Sequence, residues 1–329
     1  PWVTGSIFNK VRLKISFILF LKVVEIQTTL VSLFPFIIGV LFSMTYFGEV
    51  QWGNTLVFFI GMVVFDMATT AINNYMDFKK AKSDVYKYEE NIIGQSGVSP
   101  QLVRNMIFAM IAFTAVVGAY LTVQTGWLFL VLGVICCFIC IFYTYGPIPL
   151  SRMPLGEIFS GFTMGLGIFV LTVYLNVVTN PPFYLTVDFA SGAFRLDGNL
   201  WAVLAIVVAS LPLVCSIANI MLANNLRDLD TDIENHRYTL VYYIGRPAGI
   251  VLFQVLALAG YLVILFGFIS GIYQWPVLIT FATLPVIWKN IQTFKQELPQ
   301  PKSFRHSIKN LMVFNGTYAL GLLISALLG

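Results

Sequence analysis

Apolar stretches of about 20 residues recur along the whole chain, and this repetition constrains the fold more than any single motif. A helix rising about 1.5 Å per residue needs about 20 such residues to cross a hydrocarbon core roughly 30 Å thick. The runs fall at approximately 26–47, 54–76, 103–123, 127–146, 155–178, 200–224, 248–270, 274–292 and 308–328. Membrane strands would alternate in polarity and need only about ten residues. With 58% hydrophobic and 10% charged residues, the chain lacks the ionic surface of a soluble domain, where about 25% of residues are charged. The expected fold class is all-α integral membrane, about nine transmembrane helices in a single domain over residues 1–329. Lys10 to Lys22 alternates basic and bulky apolar residues, so 1–25 reads as an interfacial N-terminal segment.

Charge then sets an orientation. With nine spans and the N-terminus inside, all the basic residues except Arg195, of 19, fall on one face. Positive charge favours the cytoplasmic side, which predicts a multi-pass cell-membrane protein with a cytoplasmic N-terminus. The net charge of +4 belongs to this flank, and no basic-aromatic platform suggests a nucleic-acid partner. Cys137 and Cys140 have CxxC spacing inside an apolar helix with no His or charge nearby, and read as packing residues.

Polar residues collect at two helix ends on the expected cytoplasmic side. The first string runs Asn73-Asn74-Tyr75-Met76-Asp77 and on through Lys79, Lys80 and Asp84; the second runs Asn224-Asn225-Leu226-Arg227-Asp228 and on to Asp230 and Asp232. At 100° per residue, Asn224, Asp228 and Asp232 form one stripe, and Asn73 and Asp77 repeat its i, i+4 pair. Asp84 returns to that face only if its helix continues past Asp77. Magnesium takes oxygen ligands, retains waters, and is commonly held by one or two carboxylates plus substrate phosphates. Two such stripes on a shared cavity suit two Mg²⁺ ions and a diphosphate, with Arg227, Lys79, Lys80 and Arg237 adding charge-assisted contacts. Acids near helix C-termini also sit at the unfavourable end of the macrodipole, which calls for a compensating cation.

These strings resemble the UbiA superfamily of intramembrane aromatic prenyltransferases, which carries an NxxxD-type motif after its second helix and a DxxxD motif after its sixth. The dihydroxynaphthoate polyprenyltransferase branch of menaquinone synthesis is the most similar. Its second motif, approximately NNxRDxxxDxxxGKxTLxxxLG, is matched by NNLRDLDTDIENHRYTLVYYIG over 224–245, and its YTxGPxPLxxxxLGE pattern by Tyr143 to Leu150 and Leu155-Gly156-Glu157. Three departures stand out: Asn74 where the family often has Asp, Asp84 one residue later than the family's last acid, and His236 in place of the usual Gly.

The resemblance implies helices around a central cavity, cap loops at 77–100 and 225–246, and a lateral opening to lipid. It implies magnesium-dependent transfer of a polyprenyl group from polyprenyl diphosphate to 1,4-dihydroxy-2-naphthoate, with decarboxylation. Asp77, Asp228, Asp232 and Arg227 are then the expected catalytic residues, with Asn73, Asp84 and Asn224 joining the three acids as metal ligands. Expected substrate contacts are Lys79, Lys80, Arg237, Arg152, Glu157, Tyr143, Tyr145 and Asp66. Asp66 serves either the acceptor or a helix–helix hydrogen bond, and Glu157 and Arg152 either pair or meet the acceptor carboxylate. Glu25 is either structural or cavity-lining. Other acceptors (4-hydroxybenzoate, homogentisate, haem b) stay open within the family. A CDP-alcohol phosphotransferase is disfavoured by the missing DGxxAR signature, and a transporter would leave both motifs unexplained.

Overall fold

The computed structural model describes residues 19–81, 86–145 and 150–329. Most of the interfacial segment, and Asp84, lie outside these residues. The helices are α1 (Thr29–Phe47), α2 (Trp52–Lys80), α3 (Ile92–Ser96), α4 (Pro100–Thr125), α5 (Trp127–Thr144), α6 (Gly156–Asn176), α7 (Leu200–Glu234), α8 (Leu240–Ile269), α9 (Leu284–Glu297) and α10 (Phe304–Leu328). Among the described residues, seven helices are long and apolar enough to cross a membrane, and Trp127–Tyr143 is a shorter apolar helix. The protein is therefore a predominantly helical, multi-pass membrane protein, as its hydropathy predicts. The stretch read as the eighth span opens as a 3₁₀ segment, Trp275–Thr283, and continues as α9 from Leu284, with Pro285 in its first turn. Proline lacks the amide hydrogen that a continuous helix needs.

Contacts group the chain into two compact units, Pro1–Leu30 with Ile60–Val117, and Val31–Phe59 with Gly118–Gly329. In the first, Asn74 on α2 donates through Nδ2 to the Val23 carbonyl and to Glu25 Oε1, each at 3.0 Å. Asn91 Nδ2 donates to the Asn74 carbonyl at 3.0 Å and caps α3 by accepting from the Ile93 amide. The departure at Asn74 thus has a local reason, since an aspartate could not donate to Glu25. Glu25 is a structural partner here.

In the second unit α7 is the central element. Its 35 residues span about 50 Å at 1.5 Å per residue, well beyond a bilayer core of roughly 30 Å. Asn199 caps its start, accepting from the Ala202 amide at 3.1 Å. α6 winds as a π-helix over Gly161–Gly167, and a Cβ at Gly165 would lie 2.8 Å from the Val214 amide nitrogen of α7. Only glycine permits that backbone approach. α10 is fastened to α7 by Tyr318, whose hydroxyl donates to the Ala209 carbonyl at 3.0 Å, and by a 3.0 Å bond from Asn315 Nδ2 to Ser216 Oγ. Phe34, Ile38, Phe42, Phe169, Leu213 and Tyr318 belong to the core.

The stretch read as a loop between the fifth and sixth spans holds an antiparallel hairpin, β1 (Phe183–Asp188) and β2 (Ala193–Gly198). Apolar spans drown so short an alternating pattern. The cap-loop boundaries also change. α2 runs through Asp77 to Lys80, and α7 continues to Glu234. Of the stretch 225–246, only the turn at 235–239 lies between α7 and α8, which begins at Leu240.

Candidate active site

Because α7 continues past its apolar span, the second acidic string is helical, and its side chains sort by face. Arg227 lies along the helix and grips its neighbours. Nε donates to Asp228 Oδ1 at 2.6 Å, and Nη2 to Asp228 Oδ2 and Asn224 Oδ1, each at 2.5 Å. Its guanidinium also stacks 4.9 Å from the centroid of Phe304 at the start of α10. One turn on, Asp232 is only 5% exposed. Arg237 Nε stands 3.4 Å from Asp232 Oδ1, a charge contact too long for a strong hydrogen bond; the Arg237 amide donates to the Asp232 carbonyl at 2.8 Å. Arginines therefore answer both acids at the negative end of the helix dipole.

Asp230 leaves this face. Its exposed carboxylate accepts from Arg246 Nη2 at 3.1 Å, which ties α7 to the kinked start of α8. Gly245 there has φ of 76° and precedes Arg246 and Pro247. In the turn between the helices His236 has φ of 56°, a left-handed conformation that glycine adopts freely and a histidine adopts at a cost. A glycine at this position would take that conformation without cost.

On the flank facing α6, Asn225 Nδ2 donates to Glu157 Oε1 at 2.8 Å. Glu157 is 4% exposed and its Oε2 has no hydrogen-bond partner. Glu157 pairs with Asn225, not with Arg152, and this corrects one of the two sequence alternatives. Arg152 instead offers its backbone carbonyl to the Tyr238 amide at 3.2 Å. The Tyr143 hydroxyl lies half-buried, 3.4 Å from Met221 Sδ, whereas Tyr145 is exposed with its ring against Phe142.

In the first unit, Asn73 and Asp77 are half-buried near the end of α2, and Asp66 lies three turns before Asp77 on the same helix face. Lys79 Nζ stands 5.0 Å from the Tyr75 ring centroid, and Lys80 is exposed.

The donor set suits magnesium. Asn224, Asp228 and Asp232 offer only hard oxygen atoms, and Asp228 keeps lone pairs free despite the arginine, since a carboxylate has about four acceptor positions. Among the described residues no three His, Cys, Asp or Glu side chains close a metal site by themselves, so an ion held by Asn224, Asp228 and Asp232 would take its remaining oxygens from water and substrate. Sequence reasoning missed the Glu157–Asn225 bond, Phe304 beneath Arg227, and Arg246 on Asp230. Each joins residues far apart in the chain, and only the doubled Asn224-Asn225 hints that the second amide has its own task.

A helical membrane protein thus carries an arginine-held acidic stripe on one face of α7. The chain belongs to the UbiA prenyltransferase family, whose sequence model matches residues 32–310. It is 24% identical over 303 residues to the 1,4-dihydroxy-2-naphthoate octaprenyltransferase of Bacillus subtilis strain 168, covering 91% of this chain and 90% of that one. A UbiA homologue from Aeropyrum pernix K1 shares the fold with a TM-score of 0.66 at 14% identity, covering 90% of this chain and 98% of that one. A homologue from Archaeoglobus fulgidus bound to DMAPP and Mg²⁺ has a TM-score of 0.56 at 11% identity, covering 92% and 99%. This protein is a prenyltransferase.

Proposed function

We propose that the protein transfers a polyprenyl group from a polyprenyl diphosphate to 1,4-dihydroxy-2-naphthoate, with loss of the ring carboxylate as CO₂. The observation that carries this reading is the clamp of Arg227 on Asn224 and Asp228, a fixed positive group beside a metal-ligand stripe. The acceptor is taken from the naphthoate relative that matches over nine-tenths of the chain and from the NNxRD string.

Asn224, Asp228 and Asp232 would hold magnesium, with Asn73 and Asp77 as the equivalent ligand types in the first motif. Bound there, the ion supplies Lewis-acid charge to a departing diphosphate. Arg227 and Arg237 donate to phosphate oxygens, where negative charge grows as the allylic C–O bond breaks and its electron pair leaves with the diphosphate. Lys79 and Lys80 add positive charge. The acceptor ring then supplies the electron pair of the new C–C bond, and the carboxylate departs. Apolar surroundings exclude water that would otherwise capture the allylic cation. Arg152 and the unpartnered oxygen of Glu157 are assigned to orienting the acceptor.

The decisive test incubates purified protein with magnesium, a labelled polyprenyl diphosphate and each acceptor separately. Labelled demethylmenaquinol with stoichiometric CO₂ from dihydroxynaphthoate is expected. Faster turnover of 4-hydroxybenzoate, homogentisate or haem b would reassign the acceptor, and diphosphate binding without turnover would support a transporter. We place the motif-bearing ends of α2 and α7 in the cytoplasm on the one-sided basic charge. A cysteine introduced at His236 should therefore react only with reagent on that side, and reaction from outside would overturn the orientation.

A further inference from the structure

A second polar feature lies inside the helix packing. A cavity of about 20 Å³ is lined by Ser216 and Asn219 of α7, Ala257 of α8, Ile287 of α9, and Asn310 and Phe314 of α10. Ser216 and Asn219 are centred about 150° around α7 from Asp228, at 100° per residue. The cavity is therefore on the opposite face of α7 from the acidic stripe.

Two amides that line it lack a partner on one side. Asn219, 6% exposed, donates through Nδ2 to the Phe253 carbonyl at 3.1 Å, which leaves Oδ1 as a buried acceptor without a hydrogen bond. Asn310, 7% exposed, accepts at Oδ1 from Asn290 Nδ2 at 2.8 Å, which leaves Nδ2 as a buried donor without one. The Phe253 carbonyl fixes Oδ1 as the end of the Asn219 amide that remains, and Asn310 keeps Nδ2 beyond its pairing with Asn290. Ser307, also in the lining, spends its proton on the Phe304 carbonyl at 2.7 Å and keeps lone pairs.

The unmet demand is for one donor and one acceptor, both neutral. A cation would meet the Asn310 NH₂ and an anion the Asn219 carbonyl oxygen, and either would be repelled. Water donates and accepts at once, and about 10–15 Å³ of such space with two or more polar partners suffices to hold it. We infer that this cavity is a built binding site for a resident water, which accepts from Asn310 Nδ2, donates to Asn219 Oδ1 and joins α7 to α10. The water then belongs to the scaffold that holds the motif helix, and the inference is independent of the acceptor.

Hydroxyl-radical footprinting of the full-length protein in lipid nanodiscs tests this, because side chains beside a resident water are oxidised where bulk water does not reach. Phe314 and Leu311, 5% and 3% exposed, line the cavity and should be labelled, while Phe34 and Val40, 9% and 8% exposed and outside it, stay silent. Silence at all four would overturn the inference. Ala257→Leu adds volume to the cavity and leaves both amides in the sequence. It should abolish the label at Phe314 and lower Tm by several degrees, in the range that loss of a buried polar partner produces. A raised Tm would mean that a dry void had been filled, which overturns the inference as well. Should Ala257→Leu fail to fold, Ala257→Val gives the same two readouts with a smaller intrusion.

Discussion

Asn225 of α7 and Glu157 of α6 are joined by a 2.8 Å hydrogen bond, both side chains more than nine-tenths buried. The bond fixes the helix between Asn224 and Arg227 against a neighbour 68 residues away in sequence. It places a carboxylate with one unpartnered oxygen beside the motif. Glu157→Gln keeps an acceptor for Asn225 and should fold like the parent. Glu157→Ala strands the Asn225 amide, which costs roughly 1–3 kcal/mol. Thermal unfolding of both variants checks this, and an equal loss for Gln and Ala would mean that the charge, not the bond, matters.

Helix face separates Asp228 and Asp232 from Asp230. Asp228→Asn and Asp232→Asn should each lower kcat by about two orders of magnitude or more, since metal stabilisation of developing charge is worth several kcal/mol. Asp230 is engaged with Arg246 away from the stripe, so Asp230→Asn should cost only a few-fold. Steady-state rates at saturating magnesium make the comparison. Equal losses at Asp228 and Asp230 would refute the helical-face assignment.

Arg227 acts on the donor in this reading, so Arg227→Ala should slow every acceptor by a similar factor, about 10²–10³ as for other preorganised donors. A fluorinated allylic donor should also react far more slowly, because fluorine destabilises a cation more than the bound ground state. Single-turnover rates are the measurement, so that product release cannot mask the chemistry. Acceptor-dependent losses would move Arg227 to the acceptor side.

Stability should depend on pH through Glu49, in the loop between α1 and α2. Burial pushes its carboxyl up, but hydrogen bonds from Thr179, Gln51 and Val178 outweigh this and hold it below its ordinary value of 4.5. A lowered folded value contributes stability that is present above about pH 4.5 and is lost as pH falls through the folded value. Unfolding midpoints measured from pH 6 downward should decline in the parent and decline less in Glu49→Gln. Parallel curves would show that Glu49 contributes nothing.

His236 holds a left-handed backbone at φ of 56°. Removing Cβ relieves strain of about 1–2 kcal/mol and gives back part of it through unfolded-chain entropy. His236→Gly should raise stability by about 0.5–1 kcal/mol, and His236→Val should lower it. A Gly variant less stable than the parent would show that the 3.4 Å contact of His236 Nδ1 with the Tyr238 hydroxyl outweighs the strain.

The membrane class was legible before any coordinates, because a run of about 20 apolar residues has few physical options in a bilayer. The i, i+4 spacing of Asn224, Asp228 and Asp232 was legible for the same kind of reason, since the α-helical repeat fixes which residues share a face. Where spans end was not. Hydropathy stops reporting once a helix leaves the hydrocarbon, so the motif stripes were legible while the ends of α2 at Lys80 and α7 at Glu234 were not. The hairpin at 183–198 was missed because a six-residue strand carries too weak a signal beside long apolar helices.

By itself, then, the sequence determined a helical membrane protein with two oxygen-rich motifs on helix faces, because both follow from local periodicity and the solvent. The tertiary structure alone decided which partners those motifs have. Asn74 serves Glu25, Asn225 serves Glu157, Asp230 serves Arg246, and Arg227 rests on Phe304 while it holds Asp228. Such pairs are fixed by how distant helices pack, through small energies summed over many contacts, and no periodicity within one helix encodes them.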